Sequence, residues 1–265
     1  MADFARNLFR GTARYYDRYR IPYPGTLIEH LSKRAVVSPP GTLLDIACGP
    51  GPLAFALHAR FARTWAVDQE PDMIEVVREK AAAAGADDIV PSVASVEDLV
   101  APESSFDLIV AGNAFHRFRR PVAAANFIRW LRPGGHAGLV WSNSPWTGDA
   151  PWQAALRDIM DRWQPPGRMP PGYAADRAAH PDEEIMTAAG FESAGSREFV
   201  TDVTWTVDSI TGFMLSTAVL SRLALGDGAA GFEAEVRRDL LARSPDGSFA
   251  QRVSFACELY RRPPA

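Results

Sequence analysis

Short apolar runs alternate along this chain with longer stretches of helical spacing, and that alternation predicts most of the elements. Thr42, Leu43, Leu44 and Ile46 make a strand broken only by Asp45, and a glycine-bearing turn follows. Residues 52–60 read as a helix opened by Pro52, because a first-turn position lacks an intrahelical N–H partner anyway. A strand at 64–67 ends in Asp68, and a helix over 71–84 is stopped by Gly85. Residues 87–92 suggest a third strand, and FDLIVA at 106–111 is an apolar run of the kind buried on both faces. Ala124, Phe127, Ile128 and Leu131 fall at helical spacing within 121–131. The breaker Arg132-Pro133-Gly134-Gly135 then precedes a fifth strand at 137–141. Strands alternating with helices in this way predict a parallel sheet covered on both faces.

The flanks follow other patterns. Before the first strand, aromatic and basic residues interleave (Phe9, Arg10, Arg14, Tyr15, Tyr16, Arg18, Tyr19, Arg20) and lead into Ile21-Pro22-Tyr23-Pro24. Proline disfavours helix in the residue before it, so a first helix stops near Arg20 and a second runs over 26–34 from an N-cap at Thr26. These aromatics either pack the segment onto the body or form a lid over a ligand. After the fifth strand, Trp146, Trp152 and Trp163 are followed by Pro165, Pro166, Pro170 and Pro171. That stretch, 142–180, reads as an insertion over the sheet's edge that encloses a pocket. A helix at 182–189 ends at Gly190, and β-like runs at 198–205 and 252–260 flank a helical stretch. With a tight turn at Asp246-Gly247, they predict an antiparallel ending to the sheet. The expected organisation is one domain: lid 1–40, core 41–141, cap 142–180 and sheet completion 181–265.

Composition narrows the function. The 265 residues are 47% hydrophobic and 23% charged, ordinary for a globular chain. A net charge of -4 argues against a general nucleic-acid binder. Cys48 and Cys257 form neither a disulfide framework nor metal-ligand spacing, so no metal is expected. With no long apolar run and a charged opening segment, a cytoplasmic protein without a membrane span is expected.

The chemistry gathers at the ends of the first strands. In GTLLDIACGPG, 41–51, Gly49, Gly51 and Ala54 even satisfy the G-x-G-x-x-A spacing of a dinucleotide site. Asp45 changes that reading, because a carboxylate before the turn suits a ligand with a cationic amino group better than a pyrophosphate. Asp68 stands where an acid accepts both hydroxyls of a ribose. Ser95-Val96-Glu97 follows the third strand, in reach of an adenine edge.

These residues together resemble the class I S-adenosylmethionine-dependent methyltransferases of the small-molecule type. DIACGPG matches their D-x-G-x-G-x-G turn with Ala47 in place of the first glycine, and AVDQEPDMI resembles their second-strand motif. SVEDL matches the adenine-side loop, and RPGG the turn before the fifth strand. FDLIVAGNAFHRF resembles the fourth-strand motif, with Arg117 where most relatives have Trp. ARYYDRYRIPYP is similar to the lid of this branch. The resemblance implies a Rossmann-like, doubly wound α/β sheet of seven strands, mostly parallel, with an antiparallel last strand.

It also implies S-adenosyl-L-methionine as cofactor, held by Asp45, Ala47, Gly49, Gly51, Asp68, Gln69, Met73, Ser95, Val96 and Asn113. Tyr15, Tyr19 or Arg20 would close over the methionine end. Methyl transfer needs alignment and water exclusion, with no enzyme nucleophile. His116 is the histidine that the motif places near the reacting centre, as a base or as packing. For an acidic acceptor, Arg117, Arg119 or Arg20 is placed to hold the carboxylate, while Arg119 and Arg120 read by default as solvated. The expected reaction is methylation of a small-molecule oxygen by a monomer or homodimer. Two rivals remain open: a cofactor-binding protein without methyl transfer, and a NAD-dependent oxidoreductase, with which Asp45 sits badly.

Overall fold

A computed structural model describes residues 7–33, 41–167 and 173–264. Its helices are α1 (Ala13–Tyr19), α2 (Gly25–Ser32), α3 (Pro52–Leu57), α4 (Pro71–Ala84), α5 (Arg120–Trp130), α6 (Pro151–Trp163), α7 (Tyr173–Ala179), α8 (Asp182–Ala188), α9 (Val207–Leu215), α10 (Arg222–Leu225) and α11 (Ala229–Leu241). Its strands are β1 (Thr42–Ile46), β2 (Arg63–Asp68), β3 (Ile89–Val93), β4 (Phe106–Gly112), β5 (Leu131–Ser142), β6 (Glu192–Thr206) and β7 (Ser248–Arg261). They form one sheet in the order β3-β2-β1-β4-β5-β7-β6. Neighbours are parallel from β3 to β5, while β7 runs antiparallel to both β5 and β6. The seven-stranded α/β expectation is met.

Successive side chains of a strand point to opposite faces, and here both faces are covered. Leu44 and Ile46 of β1 enter the core under α5 and α8, with Phe127 and Trp130, while Leu43 enters the core on the other face with Leu27, Leu31 and Leu53. Fully burying a side chain of this size contributes about 1.5–3 kcal/mol. Helix α4 has the predicted limits because Pro71 sits in its first turn and Gly85 takes the left-handed C-cap conformation at φ 63°.

Several boundaries moved. The 52–60 helix stays α-helical only to Leu57 and tightens into a 3₁₀ turn over His58–Arg60. Helix α2 begins at Gly25 behind Pro24, not at an N-cap Thr26, and the predicted end at Arg34 lies outside the described residues. RPGG does not precede β5 but lies within it. Leu131 pairs with Phe106, and pairing resumes at His136 opposite Leu108, so the four residues bulge out of the ladder. Strands β6 and β7 are far longer than the 198–205 and 252–260 runs, because their polar ends still pair with each other from Glu192 with Arg261 to Thr206 with Ser248.

The cap is built differently from the expectation. Its described part turns its indoles inward: Trp146 packs edge-on against Phe213 and Trp163 edge-on against Phe232, while Trp152 lies tilted against Phe249. With Leu156, Ile159, Val236 and Leu240 they form a separate core among α6, α9 and α11. Pro170 and Pro171 lie outside the described residues. Among the described residues no helix is long and apolar enough to cross a membrane.

Candidate active site

The parallel strands β1, β2 and β4 end on one side of the sheet, and the turns that leave them enclose a cavity of about 630 Å³. Its floor is Ala47, Gly49, Asp68, Gln69, Glu70 and Met73; one wall is Ala94 to Asp98, and another is Gly112 to Ala114 with Arg117 and Phe118. Leu8, Phe9 and Tyr16 cover it from the N-terminal segment. The volume is of the size that small cofactors fill.

Asp68 ties two of these turns together. One carboxylate oxygen accepts the Gly49 N–H at 2.8 Å and the other the Glu70 N–H at 2.9 Å. Burial pushes its carboxyl above the usual range, and the Glu70 and Gly49 N–H groups oppose that shift by favouring the anion. The turn itself needs left-handed backbone, with φ 53° at Ala47 and 55° at Gly49. Ala47, at the family's first glycine, therefore carries a Cβ in a conformation that glycine adopts at less cost. Gly51 is not on the wall; it caps α3 and faces the Phe55 ring.

Asp45 lies beneath the cavity instead of on its surface. It is 1% exposed, and its carboxylate accepts the Ala54 N–H at 2.8 Å, closing the first turn of α3 from inside. Burial, above all, pushes its carboxyl up to about 8, with Asp68 adding to the shift and the Ala54 N–H opposing it. A carboxyl that holds its proton more tightly when folded stabilises the fold at low pH. That stability declines as pH rises from the ordinary value of 3.8 to about 8 and is flat above it. Asp45→Asn keeps an acceptor for Ala54 and removes the titration. Urea unfolding between pH 5.5 and 8 is expected to show wild type losing up to about 1.4 kcal/mol per pH unit relative to the variant. Parallel curves for the two proteins would refute this.

Beyond β3, Ser95 donates to Asp98 at 2.9 Å and accepts the Asp98 N–H at 3.1 Å, closing a turn. Val96 is 3% exposed, and its carbonyl accepts from Asn126. Glu97 and Asp98 line the cavity too, and Glu97 accepts the Arg119 N–H. At the end of β4, Asn113 stands at φ 52°, a conformation asparagine tolerates. Its amide accepts the Ser142 N–H and donates to the Ser142 hydroxyl, locking β4 to β5. Beside it Gly112 leaves room for the Tyr23 phenol, into which any Cβ there would run.

The lid closes with a residue the sequence did not single out. Tyr16, not Tyr15 or Tyr19, lies over Gly49 and lines the cavity. Residues four apart share a helix face, which separates Tyr15 and Tyr19 from Tyr16 and Arg20. Tyr19 instead stacks on Tyr15 and donates to Asp208, against Gly212 of α9. Arg20 is off the wall, behind Tyr16. The segment is pinned to α4 and its N-terminal turn: Phe9 N–H donates to Glu70, Gly11 N–H to Asp72, and Arg14 makes two 2.6 Å bonds to Glu79. Leu8 and Glu70 were not read from the sequence, and Phe9 only as one of the lid's aromatics; the only signal for Glu70 was its place two residues after Asp68.

The basic residues divide. His116 is not on the cavity wall; it sits in a 3₁₀ turn with its ring 5.4 Å from Trp141. Arg117 does line the cavity, with its guanidinium 4.9 Å from the Phe9 ring. Arg120, read as solvated, is 7% exposed and bonded to the His180 carbonyl, Asp182 and Asp176. No residue of the described cap reaches the cavity, because its aromatic residues are spent on the second core.

Comparison with known proteins agrees with this geometry. Residues 43–135 match a family model described as a methyltransferase domain. Uncharacterized methyltransferases of Mycobacterium bovis and Mycobacterium tuberculosis are 32% identical over 127 residues, 48% of this chain and 49% of theirs. The chain thus spans about half the length of these relatives. A nocamycin O-methyltransferase of Saccharothrix syringae is 27% identical over 94% of this chain and 98% of its own. Among solved structures, a type II methyltransferase so titled from Anaeromyxobacter dehalogenans shares the fold at TM-score 0.65, with 23% identity over 93% of this chain and 100% of that one.

Proposed function

We propose that this chain, which belongs to the class I S-adenosylmethionine-dependent methyltransferase family, moves the methyl group of S-adenosylmethionine onto an oxygen of a small-molecule acceptor. One observation carries the reading: Asp68, the Ala47–Gly49 backbone, Ser95, Val96 and Asn113 line a single cavity closed by the lid. When bound, the cofactor supplies an electrophilic methyl on a sulfonium. Asp68 would accept the ribose hydroxyls, and Ser95 and Val96 would take the adenine edge. The left-handed Ala47 and Gly49 would admit the methionine part.

An electrophilic methyl of this kind would need no enzyme nucleophile, so the chain's task would be to align an acceptor oxygen with it, a hydroxyl giving up its proton and a carboxylate having none to give. Correct alignment removes roughly 7 kcal/mol or more from a bimolecular barrier. Tyr16 and Phe9, above the cavity, exclude water. One finding supports oxygen: the likeness, 27% identical over 94% of this chain, to an O-methyltransferase. A carboxylate acceptor needs no base at all.

The test uses methyl-labelled S-adenosylmethionine with acids, phenols and amines, followed by mass spectrometry of the product. Label on oxygen is expected, with methyl esters recognised by their lability in mild base. Label confined to nitrogen or carbon would overturn the oxygen assignment.

A further inference from the structure

Two cations tie the lid helix α1 to α4, and they are built differently. Arg14 makes its two 2.6 Å bonds to Glu79 in the open, with side chains 69% and 45% exposed, and neither residue lines the cavity. Lys80, its side chain 34% exposed, reaches three elements at once. Its ammonium donates to Asp17 of α1 at 2.6 Å and to the Pro50 carbonyl of the glycine turn at 2.9 Å. The same nitrogen stands 4.8 Å from the centre of the Phe55 ring of α3, the ring that Gly51 faces. An ammonium carries three donors on a compact charge, so one cation serves a carboxylate and a carbonyl together.

Adjacent lid residues thereby meet adjacent turn residues. Tyr16 lies over Gly49 on the cavity side, while Asp17 reaches Pro50 through Lys80. An apolar seal joins the same two helices: Ala13, Met73 and Val76 are buried, with Phe9 and Tyr16 packed on them. Tyr16 and Asp17 are neighbours in one short helix, so a movement of α1 that lifts the ring off Gly49 also takes the carboxylate away from Lys80. The ammonium then gains water and loses the anion that fixes it on the Pro50 carbonyl. Arg14 and Glu79 give no such link, because their contact ends at α4.

We propose that Lys80 is a positioning residue for the glycine turn, latching the lid to residues 49–51. Closure of Tyr16 over the cavity and fixing of the turn are then one event, and departure of S-adenosylhomocysteine waits on the latch, a step that rests on the methyltransferase reading above.

The test compares full-length wild type with Lys80→Met, Asp17→Asn, their double variant and the control Arg14→Gln. Stopped-flow measurement gives the dissociation rate of S-adenosylhomocysteine, and hydrogen exchange of the ligand-free proteins follows α1 and the turn separately. Lys80→Met should release S-adenosylhomocysteine about tenfold faster, as for a lid closed about a tenth of the time, with an unfolding temperature within about 2 °C of wild type. Asp17→Asn should give a smaller rise of about fivefold, since the Pro50 contact remains, and should add nothing to Lys80→Met. Arg14→Gln should stay within about twofold. Amides of residues 13–19 and 48–51 should lose protection together in Lys80→Met.

Dissociation from Lys80→Met within about twofold of wild type overturns the proposal. A lid that opens while the turn stays protected overturns it too, since Lys80 would then anchor the lid alone. Additive effects of Lys80→Met and Asp17→Asn, or an Arg14→Gln effect as large as that of Lys80→Met, are equally fatal, because any tether of α1 would then serve. Failure of S-adenosylhomocysteine to bind wild type would strike the methyltransferase reading itself, and exchange of the ligand-free proteins would still decide the latch. If Lys80→Met does not fold, Lys80→Gln carries the same comparison.

Discussion

Asp68→Asn is expected to lower affinity for S-adenosylhomocysteine about 100-fold, near 2.7 kcal/mol, and to lower stability by about 1–2 kcal/mol. Asp68 presents two charged oxygens, each accepting one backbone N–H from a different turn of the cavity floor. An asparagine offers one oxygen and sets an NH₂ group against the other N–H donor. The Gly49 and Glu70 turns would then lose their common anchor, and the ribose hydroxyls would lose a charged acceptor. Hydrogen bonds to charged groups are worth about 1.5–3 kcal/mol, so one such loss accounts for the affinity change. Calorimetry and urea unfolding read the two effects separately. An affinity within about threefold of wild type would remove Asp68 from the binding site.

Arg120→Ala is expected to cost about 3–5 kcal/mol and lower the unfolding temperature by about 10 °C. Arg120 opens α5 and reaches across to the His180 carbonyl at 2.7 Å and to Asp182 at the start of α8, with both side chains of the pair only 8% exposed. Truncation would take the arginine partner from a buried carboxylate, and that penalty exceeds the value of the contact itself. The double variant Arg120→Leu/Asp182→Leu should regain much of the loss, because two apolar groups leave no buried charge behind. A double-mutant cycle followed by denaturant unfolding measures this. A single-variant cost below about 1 kcal/mol would mean that the pair is effectively solvated.

Where local chemistry dictates structure, the sequence was legible. Pro71 and Gly85 set the ends of α4, and the apolar run at 106–111 became the central strand β4. The motif residues Ala47, Gly49, Asp68, Gln69, Met73, Ser95, Val96 and Asn113 do surround one cavity. What escaped depends on partners distant in sequence. Arg120 reads as solvated until Asp176 and Asp182, 56 and 62 residues away, are brought to it. Glu70 shows no role in the sequence until the Phe9 N–H arrives from the lid. A tryptophan-rich cap suits a pocket or a core equally well in sequence. Only the partners Phe213, Phe249 and Phe232 decide for the core.

The two carboxylates of the first two strands divided in a way that the motif did not foretell. Asp68 reaches the cavity, while Asp45 turns under the turn to close α3. Its value to the site is indirect, since it fixes the helix behind Gly49 and Gly51.

The central claim is that the cavity beneath Tyr16 and Phe9 holds S-adenosylmethionine. Calorimetric titration of the full chain with S-adenosylhomocysteine, and separately with NADH, tests it most directly. The account predicts one S-adenosylhomocysteine site with a dissociation constant in the micromolar range and no binding of NADH. Binding of NADH, or no binding of S-adenosylhomocysteine up to about 1 mM, would contradict it.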